Sequence, residues 1–119
     1  MATPESKVRD PVVKWAKAHG IGHVRLCFRP GVRQGVPDDL FLLGNGVAVF
    51  VEFKRPGKQP TAIQEKRLVE LEEYGFLAFW ADDPAPAIEL LERVKDSVDE
   101  AQEQAAALMQ RETYGGRLQ

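Results

Sequence analysis

The chain has 119 residues, a hydrophobic fraction of 44% and a formal net charge of -2. This length supports one compact domain around a single core, and the composition excludes wholesale disorder. No apolar run approaches the roughly 20 residues needed to span a bilayer. The opening Met1-Ala2-Thr3-Pro4-Glu5 has no signal-peptide apolar region, and the single cysteine, Cys27, excludes an internal disulfide or a cysteine-based zinc cluster. The expectation is a cytoplasmic protein with no membrane partner, in which Cys27 packs as a small buried hydrophobe.

In chain order, the first predicted element is a helix. Thr3 suits an N-cap, Pro4 the first helical position, and Glu5 complements the helix dipole. Val8, Val12 and Trp15 recur at helical spacing and Gly20 is the stop signal. Pro11 removes a hydrogen bond, so the helix either kinks there or restarts with Asp10 as a second cap; one kinked helix is favoured. Residues 23–28 alternate as a strand, and Arg29 to Gly35 form a loop. Asp38 to Leu43 reads as a strand, Gly44-Asn45-Gly46 as a hairpin turn, and Val47 to Phe53 as the partner strand. The apolar character of this partner predicts a central position covered on both faces. A helix follows from the Thr61 cap to about Tyr74, with Ile63, Leu68 and Leu71 inward and Gly75 ending it. Phe76 to Ala81 is then a strand parallel to Val47–Phe53, and a last helix begins near Pro86. Trp15 and Trp80 are expected in the core, and His19 and His23 in structural or surface roles. The order α-β-β-β-α-β-α predicts an α/β fold with a central mixed sheet flanked by helices. The folded domain is read as residues 1–96, and residues 97–119 as an acidic helical tail.

The small net charge conceals an asymmetry. Between His23 and Arg67 the bases are Arg25, Arg29, Arg33, Lys54, Arg55, Lys58, Lys66 and Arg67, against Asp38, Asp39, Glu52 and Glu65. After Leu68 acids dominate. The basic segment is either a solvated face or one that meets phosphate. Within it lies Pro37-Asp38, then thirteen residues, then Glu52-Phe53-Lys54. Strand side chains alternate, so Glu52 and Lys54 share a face. Two carboxylates converging beside a lysine can hold a hard divalent cation, Mg2+ or Mn2+, against a phosphodiester. A salt bridge between Glu52 and Lys54 is the competing reading, weakened because charges ending an apolar strand need a reason. Asp39 should face the opposite side and act as a structural or surface acid.

The runs Gly35-Val36-Pro37-Asp38, Phe50-Val51-Glu52-Phe53-Lys54, Thr61-Ala62-Ile63-Gln64 and Tyr74-Gly75 resemble the VRR-NUC family, virus-type replication-repair nucleases of the PD-(D/E)XK superfamily. The resemblance spans roughly Glu5 to Trp80. It implies a restriction-endonuclease-like α-β-β-β-α-β core, here with an extra C-terminal helix. It also implies metal-dependent cleavage of structured or branched DNA, Holliday junctions among them, by a homodimer in a bacterial or phage-infected cell. Asp38, Glu52 and Lys54 fill the catalytic positions, and Gln64 matches the active-site glutamine. The Phe53 carbonyl is implied as a further metal ligand and Glu5 as an outer one. Gln64 also fits a capping box with Thr61, and Glu5 a helix-dipole role. Arg29, Arg33, Lys58, Lys66 and Arg67 are candidate phosphate contacts. Two rivals remain: a non-catalytic nucleic-acid-binding or assembly module, and an RNA-processing nuclease. The acidic half of so small a domain repels DNA, which favours a dimer, with the C-terminal helices at its interface.

Overall fold

The computed structural model describes residues 3–26, 34–114 and 117–118. The predicted strand end at Cys27 and Phe28, and the arginines Arg29 and Arg33, lie outside these residues. Helix α1 spans Ser6–Ala18 and is continuous through Pro11, which sits on its exposed side. The Thr3 hydroxyl accepts a hydrogen bond from the Ser6 amide at 3.1 Å, so the expected cap holds a turn that precedes the helix proper. Strands β1 (Gly22–Arg25), β2 (Asp39–Gly44), β3 (Val47–Phe53) and β4 (Leu77–Ala81) form one sheet in that order. The first three are antiparallel, and β4 runs parallel to β3. Helices α2 (Ala62–Glu73) and α3 (Pro84–Glu112) complete the predicted order, followed by the two-residue strands β5 (Thr113–Tyr114) and β6 (Arg117–Leu118).

The hairpin between β2 and β3 turns on Asn45 and Gly46, both at positive φ (52° and 75°), in the type I′ manner whose twist matches the strands it joins. Central strand β3 then places Val49, Val51 and Phe53 on one face. With Phe41 and Leu43 of β2 they pack under Val8, Val12 and Ala16 of α1 and Ala87 and Leu91 of α3. The Lys95 ammonium fastens α3 to the sheet, donating to the Leu43 carbonyl at 3.1 Å and to Asp99 at 2.9 Å. The other β3 face carries Phe50 and Glu52; there Phe50 meets Phe76 edge-on, and α2 lies alongside. From Asp99 to Gln110, α3 runs beyond the core with every residue exposed. Its helical path is unbroken at residue 96.

Thr61 caps α2 as expected: its hydroxyl accepts from the Gln64 amide, and the Gln64 side chain accepts from the Thr61 amide. Leu68 is buried and Leu71 half-buried. Ile63 differs from the prediction, remaining 37% exposed. The first turn of α2 overhangs the chain leading into β2 instead of the sheet, and Ile63 rests on Gly35. Gly35 has φ +83°, and an added Cβ would stand 2.8 Å from the Ile63 carbonyl oxygen. Gly35→Ala therefore combines left-handed strain with a clash against backbone. A loss of about 2 kcal/mol is expected in urea unfolding. An unchanged midpoint would show that this approach does not constrain the fold.

Candidate active site

Strand pairing explains why residues fourteen apart in sequence share a site. Asp39 pairs with Val51 and Leu40 with Phe50. Carrying this register one residue further sets Asp38, just before β2, across from Glu52. Opposed residues share a face, with Cβ atoms about 5 Å apart. The backbone holds Asp38 there, its carbonyl accepting from the Leu26 amide at 2.7 Å.

Lys54 lies two residues beyond Glu52 on the same face, and its ammonium stands 3.8 Å from Glu52 Oε1. Both side chains are buried. From α2, Gln64 Nε2 donates to the same Glu52 oxygen at 2.8 Å. The capping-box and active-site readings of Gln64 thus coexist: its carbonyl oxygen serves the helix end and its amide nitrogen serves Glu52. Among the described residues no buried side-chain polar atom lacks a partner. The salt-bridge reading of Glu52 and Lys54 is also realised, but in a buried setting where the pair leaves Glu52 far from an ordinary surface acid.

Burial is the main influence on Glu52, pushing its carboxyl up to about 7; Asp38 adds to the rise and Lys54 opposes it. Asp38 is also raised, chiefly by burial, while Arg25 and Arg9 pull the other way. Glu5 raises both, so it stands within electrostatic reach of the pair. Among the described residues no three His, Cys, Asp or Glu side chains gather as a ready cation cage. Two carboxylates remain a fitting donor set for Mg2+ or Mn2+, which keep waters and take substrate oxygens as further ligands. A cation would offset the Asp38 charge that, after burial, raises Glu52.

This shift has a consequence for the metal-free protein. With its folded value near 7 and an ordinary value of 4.5, Glu52 holds its proton longer in the folded chain than in the unfolded one. Its favourable contribution is complete below pH 4.5 and is lost as pH rises through 7. Metal-free stability is expected to fall across this window, and Glu52→Gln to flatten the fall. Urea titrations at pH 5 and pH 8 in EDTA measure both. Equal slopes for variant and parent would remove the assignment.

Asp39 is the expected structural acid, but at the centre of a network rather than on the surface. It is fully buried on the core face of β2. Its Oδ2 accepts from Arg9 Nε at 2.9 Å, its Oδ1 lies 2.7 Å from His23 Nε2, and Arg25 Nε is 3.6 Å away. The Arg9 guanidinium also lies over the Phe53 ring, 5.5 Å from its centroid. Arg9 thus joins α1 to both strands that carry the site carboxylates. Sequence reading missed Arg9. The available signal was its place beside Val8 on the inner stripe of α1, where a charge requires a partner. His23 has the structural role expected, and His19 stacks on Trp15 and bonds its carbonyl. Trp15 packs against the core as expected, whereas Trp80 is half-buried and pairs with Glu52 across β3 and β4.

Of the candidate phosphate contacts within the described residues, Lys58 and Lys66 are exposed. Arg67 is engaged instead, donating to the Gln34 carbonyl at 3.1 Å and to Glu70 at 2.8 Å. Among the described residues no helix is long and apolar enough to cross a membrane.

No protein-family model matches the chain. Among curated proteins it is 48% identical over 44 residues to one named "Putative nuclease p44" from Acyrthosiphon pisum secondary endosymbiont phage 1. That match covers 37% of this chain and 47% of the relative, so the chain spans about half the relative's length. A solved structure named "VRR_NUC domain" superposes with TM-score 0.68 at 27% identity, covering 76% of this chain and 97% of the other. A second, "VRR_NUC domain protein", gives TM-score 0.59 at 20% identity over 78% of this chain and 88% of its own. The chain therefore has the VRR-NUC fold that the run from Gly35 to Gly75 implied.

Proposed function

We propose that this chain is a metal-dependent nuclease that hydrolyses phosphodiester bonds in DNA. The observation that carries the reading is the meeting of Asp38, Glu52, Lys54 and Gln64 on one sheet face, with Glu52 pushed up to about 7. An isolated structural salt bridge does not require a second acid across the ladder. The fold likeness and the sequence match to a protein named as a nuclease support the same reading.

In this reading Asp38, Glu52 and the Phe53 main-chain carbonyl hold Mg2+ or Mn2+, with Glu5 as an outer carboxylate. The ion would supply a Lewis acid at the scissile phosphate and a more acidic water. Lys54 neutralises charge gathering on the phosphoryl oxygens and orients the attacking water. Gln64 fixes the Glu52 carboxylate so that its free lone pairs face the cleft. Lys58 and Lys66 meet the backbone without reading sequence. The endonucleolytic, branch-selective form of the activity, including junction resolution by a homodimer, belongs to the same proposal, because one small domain offers little surface to a branched duplex.

The test is cleavage of labelled duplex, flap and four-way DNA with magnesium, manganese or EDTA. Nicking with either metal and none in EDTA is expected. DNA binding without cleavage under all three conditions would favour the non-catalytic module. An RNA version cut faster than the same DNA would transfer the activity to RNA.

A further inference from the structure

We propose that the cleft between α2 and the segment entering β2 is a pocket for one unpaired nucleobase adjoining the phosphate that is cut. The inference rests on the nuclease reading above and specifies its substrate: DNA with an unpaired nucleotide beside the cleavage point. The cleft has a volume of about 340 Å³ and is lined by Leu26, Val36, Phe50, Leu71 and Tyr74, together with Arg67 and Glu70. This size lies at the lower end of the range that accepts small ligands, as does the mix of apolar walls and few polar groups.

Position selects the occupant. Phe50 precedes Glu52 by two residues on the same β3 face, and Val36 precedes Asp38 by two. The pocket floor is thus about 7 Å along the strand from the carboxylates, roughly one nucleotide step from them. Its rim is preformed. Gly35 lies against the Ile63 backbone, and Arg67 binds the Gln34 carbonyl, so the entering segment is clamped to α2 from two sides. Tyr74 at the end of α2 is 82% exposed, an aromatic face with nothing in the core to do. Aromatic and apolar walls accept the face of any base, whereas a paired base within a duplex cannot enter. Glu70 offers a carboxylate acceptor to the base edge, while Arg67 stays bound to the Gln34 carbonyl and to Glu70 and holds that edge in place.

The probe is a DNA hairpin with one unpaired 2-aminopurine beside a branch, compared with the same hairpin abasic at that position. Binding is read by anisotropy in EDTA, and cleavage separately in manganese. The parent chain is expected to bind the base-containing hairpin about tenfold more tightly than the abasic one. Tyr74→Ala should lower the first affinity to the second and leave the abasic hairpin unaffected, whereas Tyr74→Phe should retain the preference. Tyr74 is exposed, so neither change threatens the core. Equal affinity for both hairpins in the parent chain, or equal weakening of both by Tyr74→Ala, overturns the pocket. The manganese arm decides the nuclease reading alone: base-dependent binding without cleavage leaves the pocket standing in a binding module.

Discussion

Glu52→Gln is expected to lower DNA cleavage by roughly three orders of magnitude or more while leaving DNA binding unchanged or tighter. Glutamine preserves the shape of the side chain and its contact with Gln64, but removes the charge that would hold a cation. Alanine is the harsher change, because it removes both the oxygen that Gln64 binds and the carboxylate 3.8 Å from the buried Lys54 ammonium. Asp38→Asn and Asp38→Ala should behave alike, since each removes one of two opposed carboxylates. Binding holds or tightens in every case, because each change removes a negative charge facing the phosphate backbone. Lys54→Ala should also lose cleavage yet keep metal affinity, because its ammonium is not a cation ligand. Single-turnover cleavage in magnesium and manganese, paired with anisotropy binding and circular dichroism, separates these effects. A Glu52→Gln variant cleaving within tenfold of the parent would end the assignment.

Arg9→Ala is expected to cost about 3–5 kcal/mol, a fall in Tm of roughly 10–20 °C for a domain of this size. The reason lies in Asp39, whose carboxylate is fully buried and loses its guanidinium partner. His23 and Arg25 remain at 2.7 and 3.6 Å, and they keep the loss from being larger. Arg9→Lys should fall between the two, retaining charge but not the planar group that binds Asp39 and covers Phe53. Asp39→Asn, Arg9→Ala and the double variant form a cycle, in which the double variant should be milder than the sum because no lone buried charge remains. Thermal and urea unfolding measure all three. Additive losses would show that the two side chains do not act as a pair.

The same network explains a limit of sequence reading. Asp39 looked like an acid pointing away from the site, which it is. Its depth could not be inferred from β2 alone, because burial depends on α1 crossing above the strand. Arg9 was still less visible: it differs from the solvated charges of α1 only by being on the stripe that turns inward. Ile63 erred in the other direction. Its spacing in α2 marks an inward residue, but that turn overhangs the Gly35 segment instead of the sheet. Trp80, expected in the core at the end of its strand, sits beside Glu52 in the ladder and is half-buried.

The chain by itself determined the element order, the hairpin at Asn45-Gly46, the Thr61 capping box and the placing of Glu52 with Lys54. Each follows from interactions within a few residues: left-handed turn conformations, cap hydrogen bonds and the two-residue strand period. Only the tertiary structure decided that Asp38 faces Glu52, that Gln64 reaches the same carboxylate, and that Arg9 is buried against Asp39. Those contacts join residues from 12 to 30 positions apart. They depend on strand register and on which helix covers which sheet face, and neither is encoded in any single local stretch.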